Sequence, residues 1–283
     1  MSMDTFQTYE TAWCPGCGNF NILKCLKISL EELGKSPHEV LMVGGIGQAA
    51  KTPQYISSNS FCGLHGRSLP AAAAAKIANE KLTVIVDTGD GDSYGEGGNH
   101  FIHNIRRNVD ITHFVHDNQI YGLTKGQASP TTSEGHITDV QIDGNMNTPI
   151  NPILLAIASG AGFVARAFSG DTENLVSIMK QAISYKGYAL VDILQPCTSF
   201  NKINTFSYYK SRVYHLDENY DPSDKLSAIT KAMEFDEKIP LGIIYKEEKQ
   251  SFHEKNVTLK AGVPLIDKKY NPKDVQKIIA EFV

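Results

Sequence analysis

Two groups of residues in this 283-residue chain have the types and spacings that chemistry needs. The first is oxygen-based. Asp90 lies in LTVIVDTGDGD (82–92) and Asn118 in ITHFVHDN (111–118), each at the end of a β-branched run that reads as a strand. A carboxylate, an amide oxygen and a nearby backbone carbonyl are hard ligands of the kind Mg²⁺ accepts, with positions left over for phosphate oxygens. Gly89 and Gly91 flank Asp90, as expected where a backbone passes close to a diphosphate. Taken singly, GDGD and DN are also ordinary turn sequences. The second group is sulfur-based: Cys14 and Cys17 in TAWCPGCGNF, and Cys197 in QPC far along the chain. Thiols two residues apart suit a redox dithiol, half of a zinc knuckle or half of an iron–sulfur site. A redox dithiol follows a strand inside a βαβ unit, and no strand pattern precedes Cys14. A zinc knuckle needs a second Cys or Cys/His pair at matching spacing, which the sequence lacks.

The elements that must position these residues alternate between strand and helix patterns, which implies an α/β fold with a parallel sheet covered by helices on both faces. Strands are expected at 40–47, 82–92, 111–118, 162–168 and 188–197, and helices at 21–35 and 173–187. The ~20 residues between Asp90 and Asn118 allow a right-handed crossover that sets the two strands side by side, with both oxygens facing one crevice. Residues 123–150 are polar, rich in Gly, Ser, Thr and Pro, and too long for a plain connection, so they read as a lid or binding loop. After Cys197 the texture turns aromatic and irregular. Residues 1–200 are expected to form the main domain, and 201–283 a C-terminal extension packed on it or on a partner, with a helix near 223–235, a strand at 240–247 and a helix near 272–281.

Bulk properties narrow the function. A net charge of -4 and no Lys/Arg block argue against nucleic acid as a partner. No apolar run approaches the ~20 residues of a membrane span, and MSMDTFQTYE lacks the features of a signal peptide, so a cytoplasmic protein is expected. Five cysteines in such a chain point to metal or redox use of some of them rather than to a disulfide framework. Cys25 and Cys62 read as buried or incidental. His100 and His103, three apart on an expected helix, read as helix packing rather than a ligand pair.

Gly89-Asp90-Gly91, 26 residues and then Asn118 resemble the diphosphate-binding motif of thiamin diphosphate enzymes. CPGCGN, GIG, LHGRSLP, GDGD, GEGGNHFIHNIRRN, DNQIYGLTKGQASPT and LQPCTSFN follow the order found in the β subunit of 2-oxoacid:ferredoxin oxidoreductases, over residues 12–205. The resemblance implies a thiamin diphosphate-binding fold and oxidative decarboxylation of a 2-oxoacid. Electrons would pass singly through iron–sulfur clusters to ferredoxin, and the acyl group would leave on coenzyme A. It implies Mg²⁺ on Asp90, Asn118 and the Ile120 carbonyl, and a cofactor site lined by Gly47, Gly89, Gly91, Asp92, Gly122, Leu123 and Thr124. Lys51, His65 and Arg67 would lie near the reacting groups, where a cation can bind a substrate carboxylate. The acid that activates the aminopyrimidine ring would come from a partner α subunit. For the cysteines it implies a [4Fe-4S] cluster on Cys14, Cys17 and Cys197, but Gln48 stands where similar chains carry the remaining cysteine. A non-cysteine fourth ligand, a three-iron cluster and no cluster therefore all stay open. The alternatives for the whole chain are a non-oxidative thiamin diphosphate decarboxylase and a non-catalytic structural subunit.

Overall fold

The computed structural model describes residues 5–260, 262–269 and 271–282. Eight strands form one sheet: β1 (Val40–Gly44), β2 (Asn59–Cys62), β3 (Thr83–Gly89), β4 (Ile111–Asp117), β5 (Phe163–Phe168), β6 (Tyr188–Leu194), β7 (Val213–His215) and β8 (Ile239–Lys246). Their spatial order is β2-β1-β3-β4-β6-β5-β8-β7. The first six run parallel, so their carboxyl ends open on one side of the sheet. β8 pairs antiparallel with β5, and β7 parallel with β8, so the C-terminal region adds two strands to the same sheet.

Every residue of β4 and β6 is buried, as near-continuous apolar runs in a sheet covered on both faces require. The helices Asn19–Glu32 and Thr172–Ser184 pack together over one face, where Leu26, Leu30, Leu175 and Met179 meet Met42, Ile85 and Phe114. The helices Ser68–Ala78, Gly98–Arg107, Pro152–Ala158 and Lys225–Met233 cover the other face, over Val86, Val115, Val164 and Leu190. Burying a side chain such as Phe114 contributes about 2–3 kcal/mol, and the central strands are held chiefly by many such terms.

Polar residues inside the strands are paired in kind. His113 Nε2 lies 2.9 Å from both Thr88 Oγ1 and Ser93 Oγ, and its Nδ1 is 2.7 Å from the Tyr188 hydroxyl. Burial pushes the His113 pKa down to about 3, so the ring stays neutral. The expected strands at 40–47, 82–92 and 188–197 end earlier, at Gly44, Gly89 and Leu194. The chain leaves the sheet there and turns over its carboxyl edge; after Asp90 it winds into a short π-helical turn, Gly91–Glu96.

Candidate active site

β3 and β4 are neighbours with Gly89 opposite His116, which sets Asp90 beside Asp117 and Asn118 at the carboxyl edge. β6 lies next to β4 with Leu194 opposite Asp117, bringing Gln195 to the same edge. Together with the loops after β1 and β4, these ends enclose one cleft, outside the strand carboxyl ends where open α/β sheets bind ligands.

Asp90 is buried, and its Oδ2 accepts hydrogen bonds from Ser129 Oγ (2.5 Å) and Thr131 Oγ1 (2.7 Å). Its Oδ1 takes no side-chain bond. Thr131 Oγ1 also lies 2.8 Å from Asp117 Oδ1. Burial raises the pKa of Asp90, and raises that of Asp117 well above the carboxylate range, with the charges of Asp192 and Asp90 adding to the effect on Asp117. A cation among these oxygens would relieve both. Asn118 Oδ1 accepts from the Ile120 N–H (3.0 Å), and Asn118 Nδ2 donates to Gln195 Oε1 (3.1 Å).

Gly89, Gly91, Asp92, Ile120, Gly122, Leu123 and Thr124 all line the cleft. Gly47 does too, with φ +118° and open space where a Cβ would be, so the backbone there needs glycine and leaves room for a ligand. Gly91 has a different reason to be glycine: a Cβ would come within 2.2 Å of the Tyr121 ring. Asp92, which lines the cleft, also ties its walls together. Its Oδ1 accepts from the Ile46 N–H (3.0 Å) and the Gly66 N–H (2.8 Å), and His65 Nδ1 approaches to 2.8 Å. Through Oδ1 the carboxylate therefore clamps two loops and one ring together, its Oδ2 takes no hydrogen bond among the described residues, and burial raises its pKa. His65 lines the cleft, whereas Lys51 and Arg67 do not. Lys51 ends the 3₁₀ turn Ala49–Lys51, which runs on into the helical turn Thr52–Tyr55. Arg67 is drawn to His100, its Nη1 lying 3.3 Å from Nε2.

Cys14, Cys17 and Cys197 line the same cleft. Thr198 Oγ1 donates to the Pro15 carbonyl (3.2 Å), tying the QPC loop to the CPGC loop. Burial pushes the Cys17 thiol up to about 11, with Cys197 and Cys14 adding to the shift and the Asn19 N–H and the Gln195 side chain opposing it. Gln195 Nε2 lies 3.5 Å from Cys17 Sγ. Cys25 is packed in the core beneath the helices Asn19–Glu32 and Thr172–Ser184, and Cys62 lies exposed on β2. Among the described residues, no three His, Cys, Asp or Glu side chains are grouped so as to hold a single metal ion.

The residues that sequence reasoning missed are Ser129, Thr131 and Gln195. The first two sit in SPTTS, where hydroxyl residues look like turn formers, and the third lay unweighed in LQPC.

Residues 42–193 match the model of the thiamine pyrophosphate enzyme C-terminal TPP-binding domain, and residues 197–261 match that of the C-terminal part of the pyruvate ferredoxin oxidoreductase β chain. The chain is 47% identical over 258 residues to a 2-oxoacid:ferredoxin oxidoreductase subunit beta of Saccharolobus solfataricus, covering 87% of this chain and 85% of that one. It is 35% identical over 243 residues to the 2-oxoglutarate synthase subunit KorB of Methanocaldococcus jannaschii, covering 86% and 90%. Among solved structures it is similar to the 2-oxoglutarate:ferredoxin oxidoreductase from Magnetococcus marinus with 2-oxoglutarate, coenzyme A and succinyl-CoA bound. That match has a TM-score of 0.92 at 35% identity and covers 99% of this chain and 95% of that one. With the fold, the cleft and these matches in agreement, the chain belongs to the β subunits of the 2-oxoacid:ferredoxin oxidoreductases.

Proposed function

We propose that this chain is the thiamin diphosphate-binding subunit of a CoA-acylating 2-oxoacid:ferredoxin oxidoreductase, working with an α subunit and handing electrons to ferredoxin. The observation that carries this reading is Asp90, anchored through Oδ2 by Ser129 and Thr131, with Oδ1 left for a cation at the mouth of a cleft that Gly47 and Gly89 keep open. The oxygens fit Mg²⁺: a carboxylate, the Asn118 amide oxygen and the Ile120 carbonyl, with remaining positions for diphosphate oxygens. The three thiols on two tied loops fit an iron–sulfur cluster, which spreads its ligands around a cage rather than one point. When bound, thiamin diphosphate supplies the electron sink that lets a 2-oxoacid lose CO₂, and a cluster accepts electrons one at a time.

This chain's residues bind and orient. His65 Nδ1 lies 2.8 Å from Asp92 and 3.4 Å from Glu96, so Nε2 is the nitrogen left over, and in the imidazolium form it would donate to a substrate carboxylate. The loop from Tyr121 to Thr124 walls the cleft, with Tyr121 packed on Gly91 and its hydroxyl 3.1 Å from Glu96. Among the described residues no glutamate lines the cleft, which leaves the acid for the aminopyrimidine ring to the α subunit. The test is thiamin released from the anaerobically isolated assembly, wild type beside Asp90→Ala. Stoichiometric cofactor in the wild type and its loss in the variant are expected. Equal retention in both would remove Asp90 from the site. Aldehyde release that needs neither ferredoxin nor coenzyme A would make the enzyme a non-oxidative decarboxylase.

A further inference from the structure

Among the described residues, Gln48 lies beside the three cysteines with a buried side-chain oxygen that has no partner in the fold. It lines the same cleft as Cys14, Cys17 and Cys197. Its backbone is fixed next to Cys14, because its carbonyl accepts the indole N–H of Trp13 at 2.7 Å, and Trp13 is itself clamped edge-on between Phe20 and Tyr55. Among the described residues, its buried side-chain oxygen has no hydrogen-bond partner. Buried acceptors are almost always paired, because an unpaired one loses its water and gains nothing in return. Other polar groups nearby are committed elsewhere: Gln195 Nε2 bonds the Pro196 carbonyl (2.7 Å), and the Thr198 hydroxyl bonds the Pro15 carbonyl. The unmatched oxygen therefore belongs to a residue that lines the same cleft as the three thiols, and it has no other use in the fold.

We propose that Gln48 Oε1 is the fourth protein ligand of the cluster held by Cys14, Cys17 and Cys197. The inference rests on the cluster reading above. An amide oxygen is neutral where a thiolate carries a full negative charge, and it is a harder, weaker ligand to iron. Two consequences follow. The iron bound by Gln48 is the most weakly held, and the cluster with its ligands is one charge less negative than an all-cysteine site, which raises its reduction potential.

The test compares wild type, Gln48→Ala, Gln48→Cys and Cys197→Ala as anaerobically isolated assemblies, reading iron and acid-labile sulfide per β chain, low-temperature EPR and the potential of this cluster. Gln48→Ala is expected to lose roughly one iron per chain with sulfide retained, and to show the signal of an oxidised three-iron cluster. Gln48→Cys is expected to keep the wild-type iron content and to lower the potential. If Gln48→Ala loses the whole cluster, the potential of Gln48→Cys decides alone. Unchanged iron and EPR in Gln48→Ala, or an unchanged potential in Gln48→Cys, would overturn Gln48 as a ligand and leave the cysteines standing. Iron and sulfide unaltered by Cys197→Ala would remove the cluster reading, and this proposal with it.

Discussion

Thr131→Val tests whether the polar loop after β4 serves the cation site. The Thr131 hydroxyl sits between two buried carboxyl groups, 2.7 Å from Asp90 Oδ2 and 2.8 Å from Asp117 Oδ1. It has one proton to give, so removing it costs one charge-assisted bond of about 1.5–3 kcal/mol, unscreened by solvent because every partner is buried. Ser129 still holds Asp90 Oδ2, so the carboxylate keeps one anchor and loses its fixed angle. Loss of a group that orients a metal ligand weakens metal binding by ~10–100-fold, or about 1.4–2.8 kcal/mol. Calorimetric titration of metal-free protein with Mg²⁺ at saturating thiamin diphosphate should show this as a rise in Kd. Thr131→Ser keeps the hydroxyl and should stay near wild type. An unchanged Kd in Thr131→Val, or an equal loss in Thr131→Ser, would refute the reasoning, because the hydroxyl would then not be the group that matters.

Three further outcomes follow from the same geometry, besides those given for Asp90 and Gln48. Burial raises the pKa of Asp192 from 3.8 to about 6, against the bond from Tyr94 and the charge of Arg166. Raised in the folded state, the group binds more protons folded than unfolded, so stability falls as pH rises from about 4 to 6 and is level above that. This one group accounts for a drop of about 3 kcal/mol, and denaturant unfolding of Asp192→Asn across that range should show a flatter profile. Gly47→Ala meets no atom but forces an L-residue to φ +118°, so thermal unfolding should fall by the equivalent of about 1–3 kcal/mol. Cys25→Ser should leave iron content unchanged, because Cys25 lies in the core away from the cleft, while lowering stability measurably in urea.

The central strands were legible because they are buried on both faces and read as near-continuous apolar runs, as VLMVG does and as YALVDIL does apart from Asp192. β2 was not, since NSFC is exposed at all four positions and carries no apolar run. β7 is three partly exposed residues, too short to leave a pattern. β8 could be read as a strand, but its antiparallel direction depends on where the chain crosses the sheet edge, which local sequence does not encode. In the site, Asp90 and Asn118 stood out because strand ends and a fixed spacing mark them. Ser129 and Thr131 reach Asp90 across a loop with no periodicity, and only the folded path of that loop reveals them. The bracing part of Asp92 was hidden for a related reason: a carboxylate beside a glycine turn can also bond its own loops, and here Oδ1 takes the Ile46 and Gly66 amides.

Gln195 touches both halves of the cleft, taking the Asn118 amide on its oxygen and meeting the Cys17 sulfur with its nitrogen. One planar amide cannot tilt toward one neighbour without tilting away from the other. A cation bound at Asn118 would therefore draw on the same amide that meets Cys17, and a change of charge at Cys17 would be felt at Asn118. The oxygen and sulfur halves of the cleft are thus joined by a single planar crossbar, so whatever one half binds is relayed to the other over one side chain rather than through the sheet beneath.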